Sequence, residues 1–244
     1  MARVVVAGGG PSSVSIVIPA YNEEKRILGT LESYFRLLSG RFWRFEIIVV
    51  ANNCGDNTAE FSRDFASSHK GVSVLEFKHY TGKGGAVIEG FRKAKGEIIG
   101  FVDADNSTKP EEFFRLFSAL QQGFDVAVGS RGLPDSELVK KQPLHRLMLG
   151  KAFHSIVEAL FGLGIYDTQC GAKVFRRPVV EKILCEKVSS GFEFDVQMLW
   201  IAKRAGFRIK EVGIAWENSE DSKVSLSDPL KMLFGLARLR AKGA

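Results

Sequence analysis

Runs of consecutive apolar residues recur down the first half of the chain, separated by stretches with helical spacing. Residues 14–19, 45–51, 72–77, 97–102 and 125–129 read as strands buried on both faces. Between them, Ile27, Leu28, Leu31, Phe35 and Leu38 share one helix face. Val87, Ile88, Phe91 and Ala94 share another, and Phe113, Phe114, Phe117 and Leu120 a third. A further helix opens from the turn formers at 52–58 and runs through Phe65. Asn22 is expected to cap the first helix, with acids in its first turn; Gly96 is expected at C′ of the third, and Pro110 near N1 of the fourth. Five strand–helix alternations predict an α/β fold, a mostly parallel sheet flanked by helices, with right-handed crossovers.

Beyond Gly132 the rhythm changes. Residues 133–142 are polar and bounded by prolines, so they read as a loop, and 144–163 as a helical run broken by His145, Arg146, Lys151, His154 and Glu158. Residues 167–175 read as a loop entering a strand, Asp195 as the cap of a helix ending before Gly206, and 208–216 as a last strand. Residues 217–227 are polar, and the tail reads as a basic amphipathic helix. The expected organisation is a leader over 1–13, one domain over 14–226 and the tail over 227–244. Gly8-Gly9-Gly10 near the start does not make a dinucleotide fingerprint, because Ser13 takes the third glycine position and a strand follows where a helix should begin.

Composition narrows the classes. The chain has 244 residues, 45% of them hydrophobic, enough for one large domain. The formal charge of +6 suits an anionic small molecule or membrane surface, and with phenylalanines concentrated in apolar runs it argues against nucleic acid. Three widely spaced cysteines, Cys54, Cys170 and Cys185, indicate neither a zinc site nor a disulfide framework. No apolar run of about 18 residues is present, so the chain is expected to be soluble or peripheral.

Candidate chemistry gathers at the carboxyl ends of the strands, where α/β sheets bind ligands. The strand 97–102 ends in Asp103-Ala104-Asp105, two carboxylates able to seat a hard divalent cation that carries a diphosphate. Tyr21 can stack on a base, Glu23 can accept from a ring N–H and Asn52 can bond base or ribose. Lys83, framed by Gly82, Gly84 and Gly85, can meet phosphate oxygens. It is not a Walker loop, since Phe77 and Gly84 occupy positions that motif needs otherwise. Each residue taken singly has a bland reading, as packing, turn former or solvated surface; their convergence on one sheet edge argues for a nucleotide.

Val17-Ile-Pro-Ala-Tyr-Asn-Glu23, Gly82-Lys-Gly-Gly-Ala86, Val102-Asp-Ala-Asp105 and Gly129-Ser-Arg131 resemble the inverting family 2 glycosyltransferases with a GT-A fold. Asp167-Thr-Gln-Cys-Gly-Ala-Lys173, Phe194-Asp-Val-Gln-Met-Leu199 and Trp216 with Ser222-Lys223 resemble the dolichyl-phosphate glucosyltransferases and, next, the dolichyl-phosphate mannose synthases. The resemblance implies a nucleoside diphosphate hexose as donor, UDP-glucose or GDP-mannose, and a dolichyl or other polyprenyl phosphate as acceptor. It implies Mg²⁺ or Mn²⁺ on Asp105, with Asp103 and Ala104 on the donor beside Pro19, Ala20, Tyr21, Glu23, Asn52 and Lys83. Arg131, Gln169, Arg176 and Lys223 are its acceptor-side candidates, and Asp167 a sugar contact. Asp195 stands where relatives that attack hydroxyls keep a base; capping a helix is its other reading. An acceptor that is already anionic needs no strong base. The implied setting is the cytoplasmic face of a membrane, with 144–163 and the tail in the interface, or with a membrane-spanning partner subunit in their place. The alternatives are a same-fold enzyme with a saccharide or other hydroxyl acceptor, and a non-catalytic nucleotide-sugar-binding protein. Two departures stand out. Ala51-Asn52-Asn53-Cys54 replaces the family's Asp-Asp-Gly-Ser, and Ala172 replaces its usual Phe after Cys-Gly. The membrane anchor of many relatives is also not read in this sequence.

Overall fold

The computed structural model describes residues 13–42, 44–138, 144–216 and 228–241. Strand β1 (Ser13–Ala20) pairs in parallel with β2 (Arg44–Asn52) on one side and β4 (Ile98–Val102) on the other, and β3 (Val72–Phe77) lies beyond β2. All five residues of β4 are buried, as expected of a strand covered on both faces. The helices between these strands are α1 (Ile27–Arg41), α2 (Thr58–Ser68), α3 (Gly82–Lys93) and α4 (Pro110–Gln121). The chain continues through β5 (Val126–Ser130), β6 (Glu137–Leu138), α5 (Leu144–Phe161), β7 (Ala172–Arg176), α6 (Arg177–Leu184), α7 (Phe194–Arg204), β8 (Ile209–Gly213), β9 (Ala215–Trp216) and α8 (Asp228–Ala241).

The main sheet has the order β3-β2-β1-β4-β7-β5-β8. β7 is antiparallel to both β4 and β5, while every other pair in the sheet is parallel. β7 is therefore the strand that joins two parallel halves. One core, with Val17, Val50, Phe91, Phe101, Phe175 and Phe194, fills the face under α3, α6 and α7; the other, with Ile16, Ile18, Leu31, Tyr34 and Phe113, fills the face under α1 and α4. Burial of these side chains, worth about 1.5–3 kcal/mol each, is what holds the helices to the sheet.

Several expectations need correction. Asn22 does not cap α1. It sits at φ 53 with its Oδ1 accepting from the Gly55 amide, and the helix starts later, with Arg26 at the N-cap and no acid in its first turn. Asn53 and Asn106 adopt the same left-handed conformation after β2 and β4, so three asparagines turn the chain at three adjacent strand ends. Gly96 is not C′ of α3, whose C-cap is Ala94; it is required instead by the close approach of Ser15, whose hydroxyl accepts from its amide. Asp195 lies inside the first turn of α7 with Glu193 at the N-cap, so it caps nothing. Helix α6 was not anticipated, and the last strand is divided, β8 in the main sheet and β9 paired with β6. The leader over 1–12, the loop part 139–143 and the stretch 217–227 lie outside the described residues.

Candidate active site

Asp103 follows β4 directly, and its amide donates to the Gly171 carbonyl at 3.1 Å. Its Oδ1 meets Lys83 Nζ at 2.6 Å. A side chain at 171 would collide with the Asp103 carboxylate, so glycine there is a condition of bringing the β7 loop against the acidic turn. Asp105 follows in the same turn, its Oδ1 accepting from the Ser107 amide at 3.0 Å; the Ser107 hydroxyl is buried and has no partner among the described residues. Ala104 is buried and its carbonyl accepts from the Thr30 hydroxyl at 2.8 Å, which ties the turn to α1.

Lys83 begins α3, and burial, which opposes its charge, is outweighed by the Asp103 carboxylate, which raises its pKa. The loop carrying it is held by Asn52, 2% exposed: Nδ2 donates to the Gly82 carbonyl at 3.1 Å, and Oδ1 accepts from the Thr81 amide at 2.8 Å. Asn52 thus places Lys83, and its amide is engaged within the protein. Tyr21, 41% exposed, packs its ring 5.0 Å from that of Tyr80, 58% exposed, an aromatic pair beside this loop that the sequence reading only half identified. Glu23 Oε2 accepts from Arg26 Nε at 2.7 Å, while its amide donates to Thr58 Oγ1 at 2.6 Å. Pro19 and Ala20 end β1 next to these residues, the Ala20 carbonyl accepting from the Cys54 thiol at 3.5 Å.

On the far side of β4, Arg131 follows β5. Its Nε and Nη2 donate to the two oxygens of Asp167 at 2.7 and 2.8 Å, and its amide adds a bond at 3.0 Å. The guanidinium carbon lies 5.3 Å from the Trp216 ring centre. Burial disfavours both charges of this pair, yet their attraction prevails, raising the pKa of Arg131 and lowering that of Asp167. Gln169 Nε2 is buried without a partner among the described residues, and Cys170, between Gln169 and Gly171, has a thiol that burial pushes up to about 12.

Beneath the two halves sits a residue that sequence reasoning missed. Lys173, fully buried on β7, donates to Asp195 Oδ1 at 2.5 Å and to the Cys170 carbonyl at 2.8 Å. Burial raises the pKa of Asp195 in spite of this partner. A lysine inside an apolar strand was the available signal, since such a residue needs an anion within reach.

Arg176 must be withdrawn from the acceptor side. The register pairs Ala172 with Val102 but Arg176 with Ile98, so Arg176 is at the opposite sheet edge from Asp103. Its guanidinium is spent on the carbonyls of Phe124 and Leu120, at 3.1 and 2.6 Å. Lys223 lies outside the described residues. The structure therefore gathers Asp103, Asp105 and Lys83, adds Arg131, Asp167 and Gln169 along the same edge, and buries Asp195 below.

The acidic turn suits a hard cation. Mg²⁺-type ions are held by one or two carboxylates together with substrate phosphates and water, not by an all-protein cage. Asp103 and Asp105 supply that donor set, and among the described residues no larger cluster of metal-binding side chains competes with it. Lys83 beside them would serve the same anionic group.

The family model described as "Glycosyl transferase family 2" matches residues 15–184. A dolichyl-phosphate beta-glucosyltransferase of Trichomonas vaginalis is 35% identical over 242 residues, covering 94% of this chain and 72% of the relative. The one from Saccharomyces cerevisiae is 34% identical over 247 residues, covering 93% and 74%. Among solved structures, mannosyl-3-phosphoglycerate synthase from Rubrobacter xylanophilus superposes with a TM-score of 0.70 at 18% identity, over 95% of this chain and 73% of that one. Glucosyl-3-phosphoglycerate synthase from Mycobacterium tuberculosis, in a complex with Mn²⁺ and UDP-glucose, gives a TM-score of 0.67 at 17% identity, over 95% and 79%. These two likenesses concern the fold.

Proposed function

Because the chain belongs to glycosyl transferase family 2, we propose that it moves glucose from UDP-glucose to dolichyl or another polyprenyl phosphate, with inversion at the anomeric carbon. The names of its relatives, matched along nearly the whole chain, support the hexose and the acceptor. GDP-mannose is the competing donor.

One observation carries the choice of acceptor. Asp195, at the position where hydroxyl-attacking relatives keep a base, is 2% exposed and ion-paired with Lys173. A carboxylate buried in this way and held by a lysine is poorly placed to take a proton from a substrate hydroxyl. A phosphate arrives already anionic and needs no such group, which favours a lipid phosphate over a saccharide acceptor.

Asp105, with the donor diphosphate, would hold Mg²⁺ or Mn²⁺, and Asp103 would face the ribose or sugar. A cation bound there offsets the charge that develops on the departing diphosphate. Lys83 leaves Asp103 to meet a phosphate oxygen, and the asparagine frame at 52 keeps it within reach. Tyr21 and Tyr80 flank the base. Gln169 offers its unpaired amide to the hexose, and Arg131 receives the acceptor phosphate on the opposite side of the anomeric carbon, the geometry that inverts configuration.

The lipid is met by α5 and α8 at a membrane surface on its cytoplasmic side. No helix among the described residues is long and apolar enough to cross a bilayer. In α8, Leu236 and Leu239 are buried against the protein while Phe234 is 76% exposed and Arg238 and Arg240 face outward, an arrangement that fits an interfacial helix. On this reading residues 14–226 form the catalytic domain and 227–244 its lipid-facing tail.

The test is a donor panel of UDP-glucose, GDP-mannose and UDP-N-acetylglucosamine with a short polyprenyl phosphate and Mn²⁺. Lipid-linked glucose from UDP-glucose alone is expected. Equal transfer to a polyprenyl alcohol or a free saccharide would overturn the phosphate acceptor.

A further inference from the structure

We propose that Glu211 is a positioning residue for the acceptor phosphate, acting through Asp167 on Arg131; the inference rests on Arg131 receiving that phosphate.

Glu211 is on β8, level with Val128 of β5, and Arg131 emerges from the end of β5 three residues further on. The carboxylate of Glu211 crosses to the loop before β7. There Oε2 accepts from the Tyr166 amide at 2.9 Å and Oε1 from the Asp167 amide at 2.7 Å. Two consecutive backbone N–H groups are thereby taken by one carboxylate, which fixes the peptide plane that carries Asp167. Bonds of this kind, neutral donor to ionised acceptor, are among the stronger ones in proteins. Asp167 in turn takes Nε and Nη2 of Arg131, and the Trp216 ring packs near the guanidinium plane.

The consequence concerns the rest of the guanidinium. With Nε and one face of Nη2 committed, Nη1 has no hydrogen-bond partner among the described residues. An arginine held along one edge, with an aromatic ring beside it, presents its remaining donors in a restricted direction, so less rotamer entropy is lost when a phosphate docks. Both Glu211 oxygens are engaged by backbone amides of the loop. The effect of Glu211 therefore passes through the loop, and it should appear in acceptor affinity alone.

The experiment compares Glu211→Gln, Arg131→Ala and the double variant in full steady-state kinetics with UDP-glucose and a short polyprenyl phosphate. Glutamine keeps the shape but turns one acceptor into a donor facing an N–H. For Glu211→Gln the acceptor KM should rise about tenfold, the effect of one charge-assisted bond, with kcat and donor KM unmoved, and the melting temperature should fall by no more than the few degrees that one such bond accounts for. In the Arg131→Ala background the same change should add nothing, since the residue it serves is gone. A donor KM that rises with the acceptor KM, or effects that multiply in the double variant, would refute the relay. Arg131→Ala separates the two layers. If it leaves acceptor KM unchanged, the docking role of Arg131 fails; if it raises acceptor KM while Glu211→Gln does not, only the relay fails.

Discussion

Lys173 and Asp195 form an ion pair of 2.5 Å in which neither side chain has meaningful access to solvent, at 0% and 3% exposure. The pair joins β7 to α7, and it engages Asp195 below the site. Removing one partner strands the other charge in an apolar setting, which costs about 3–5 kcal/mol. Asp195→Asn should therefore lose that much stability in urea unfolding, and Asp195→Asn with Lys173→Met should recover much of it. A stable Asp195→Asn enzyme that had lost only its turnover would assign Asp195 to proton transfer instead.

Asp105→Ala should reduce turnover about 10²-fold or more, the scale on which a group stabilising developing charge acts. Mn²⁺ binding followed by electron paramagnetic resonance should weaken in parallel when the diphosphate is present. Chelation by EDTA should silence the wild-type protein, and Mn²⁺ or Mg²⁺ should restore it.

Lys83→Ala is expected to weaken UDP binding about tenfold by calorimetry, the loss of one charge-assisted phosphate contact. Asn52→Ala should do the same indirectly, because Gly82 and Thr81 lose the amide that places the lysine. A full effect at 83 with none at 52 would show that the loop holds its shape without Asn52.

Asp167 gives a pH signature. Its folded pKa is lowered, so the stability it contributes is complete above the unfolded value of about 3.9 and disappears as pH falls through the lower folded value. Urea midpoints of wild type and Asp167→Asn should differ by a constant amount from neutral pH down to about pH 4.5, then converge in stronger acid.

At the membrane, Phe234→Asp with Arg238→Glu should lower co-sedimentation with vesicles containing anionic lipid several-fold. The phenylalanine loses about 1.5–3 kcal/mol of burial and the arginine about 1 kcal/mol of attraction. Both side chains are exposed, so the melting temperature should hold, a cleaner result than deleting a helix whose Leu236 and Leu239 are part of the core.

Much of this was legible in the chain because burial on both faces leaves a plain mark. The apolar runs gave β1 to β5 within a residue or two, and the aspartates after β4 marked the sheet edge where the candidate site lies. What the pattern could not supply was direction. A strand reads alike whichever way it runs, so nothing in 172–176 announced that β7 is antiparallel. That polarity alone puts Gln169 at the site and Arg176 at the wrong edge. Asn22 was misread for a related reason: a good capping residue is equally good at positive φ, and the choice was made by Gly55, a partner 33 positions away. Glu211 and Lys173 act through contacts remote in sequence, Lys173 on Asp195 22 positions on and Glu211 on loop amides 44 and 45 positions back, which periodicity does not register.

The place of β7 in the sheet also sets an order of assembly. β1 to β4 have all their mutual partners once residue 102 has been made, yet β5 reaches them only through a strand at 172–176. On a ribosome that emits the chain from its N-terminus, the donor-facing half can close early, whereas the segment bearing Arg131 must wait for some forty more residues before it has a neighbour to join. Nascent chains stalled before that point should be able to hold a nucleotide well before they can present it to a lipid.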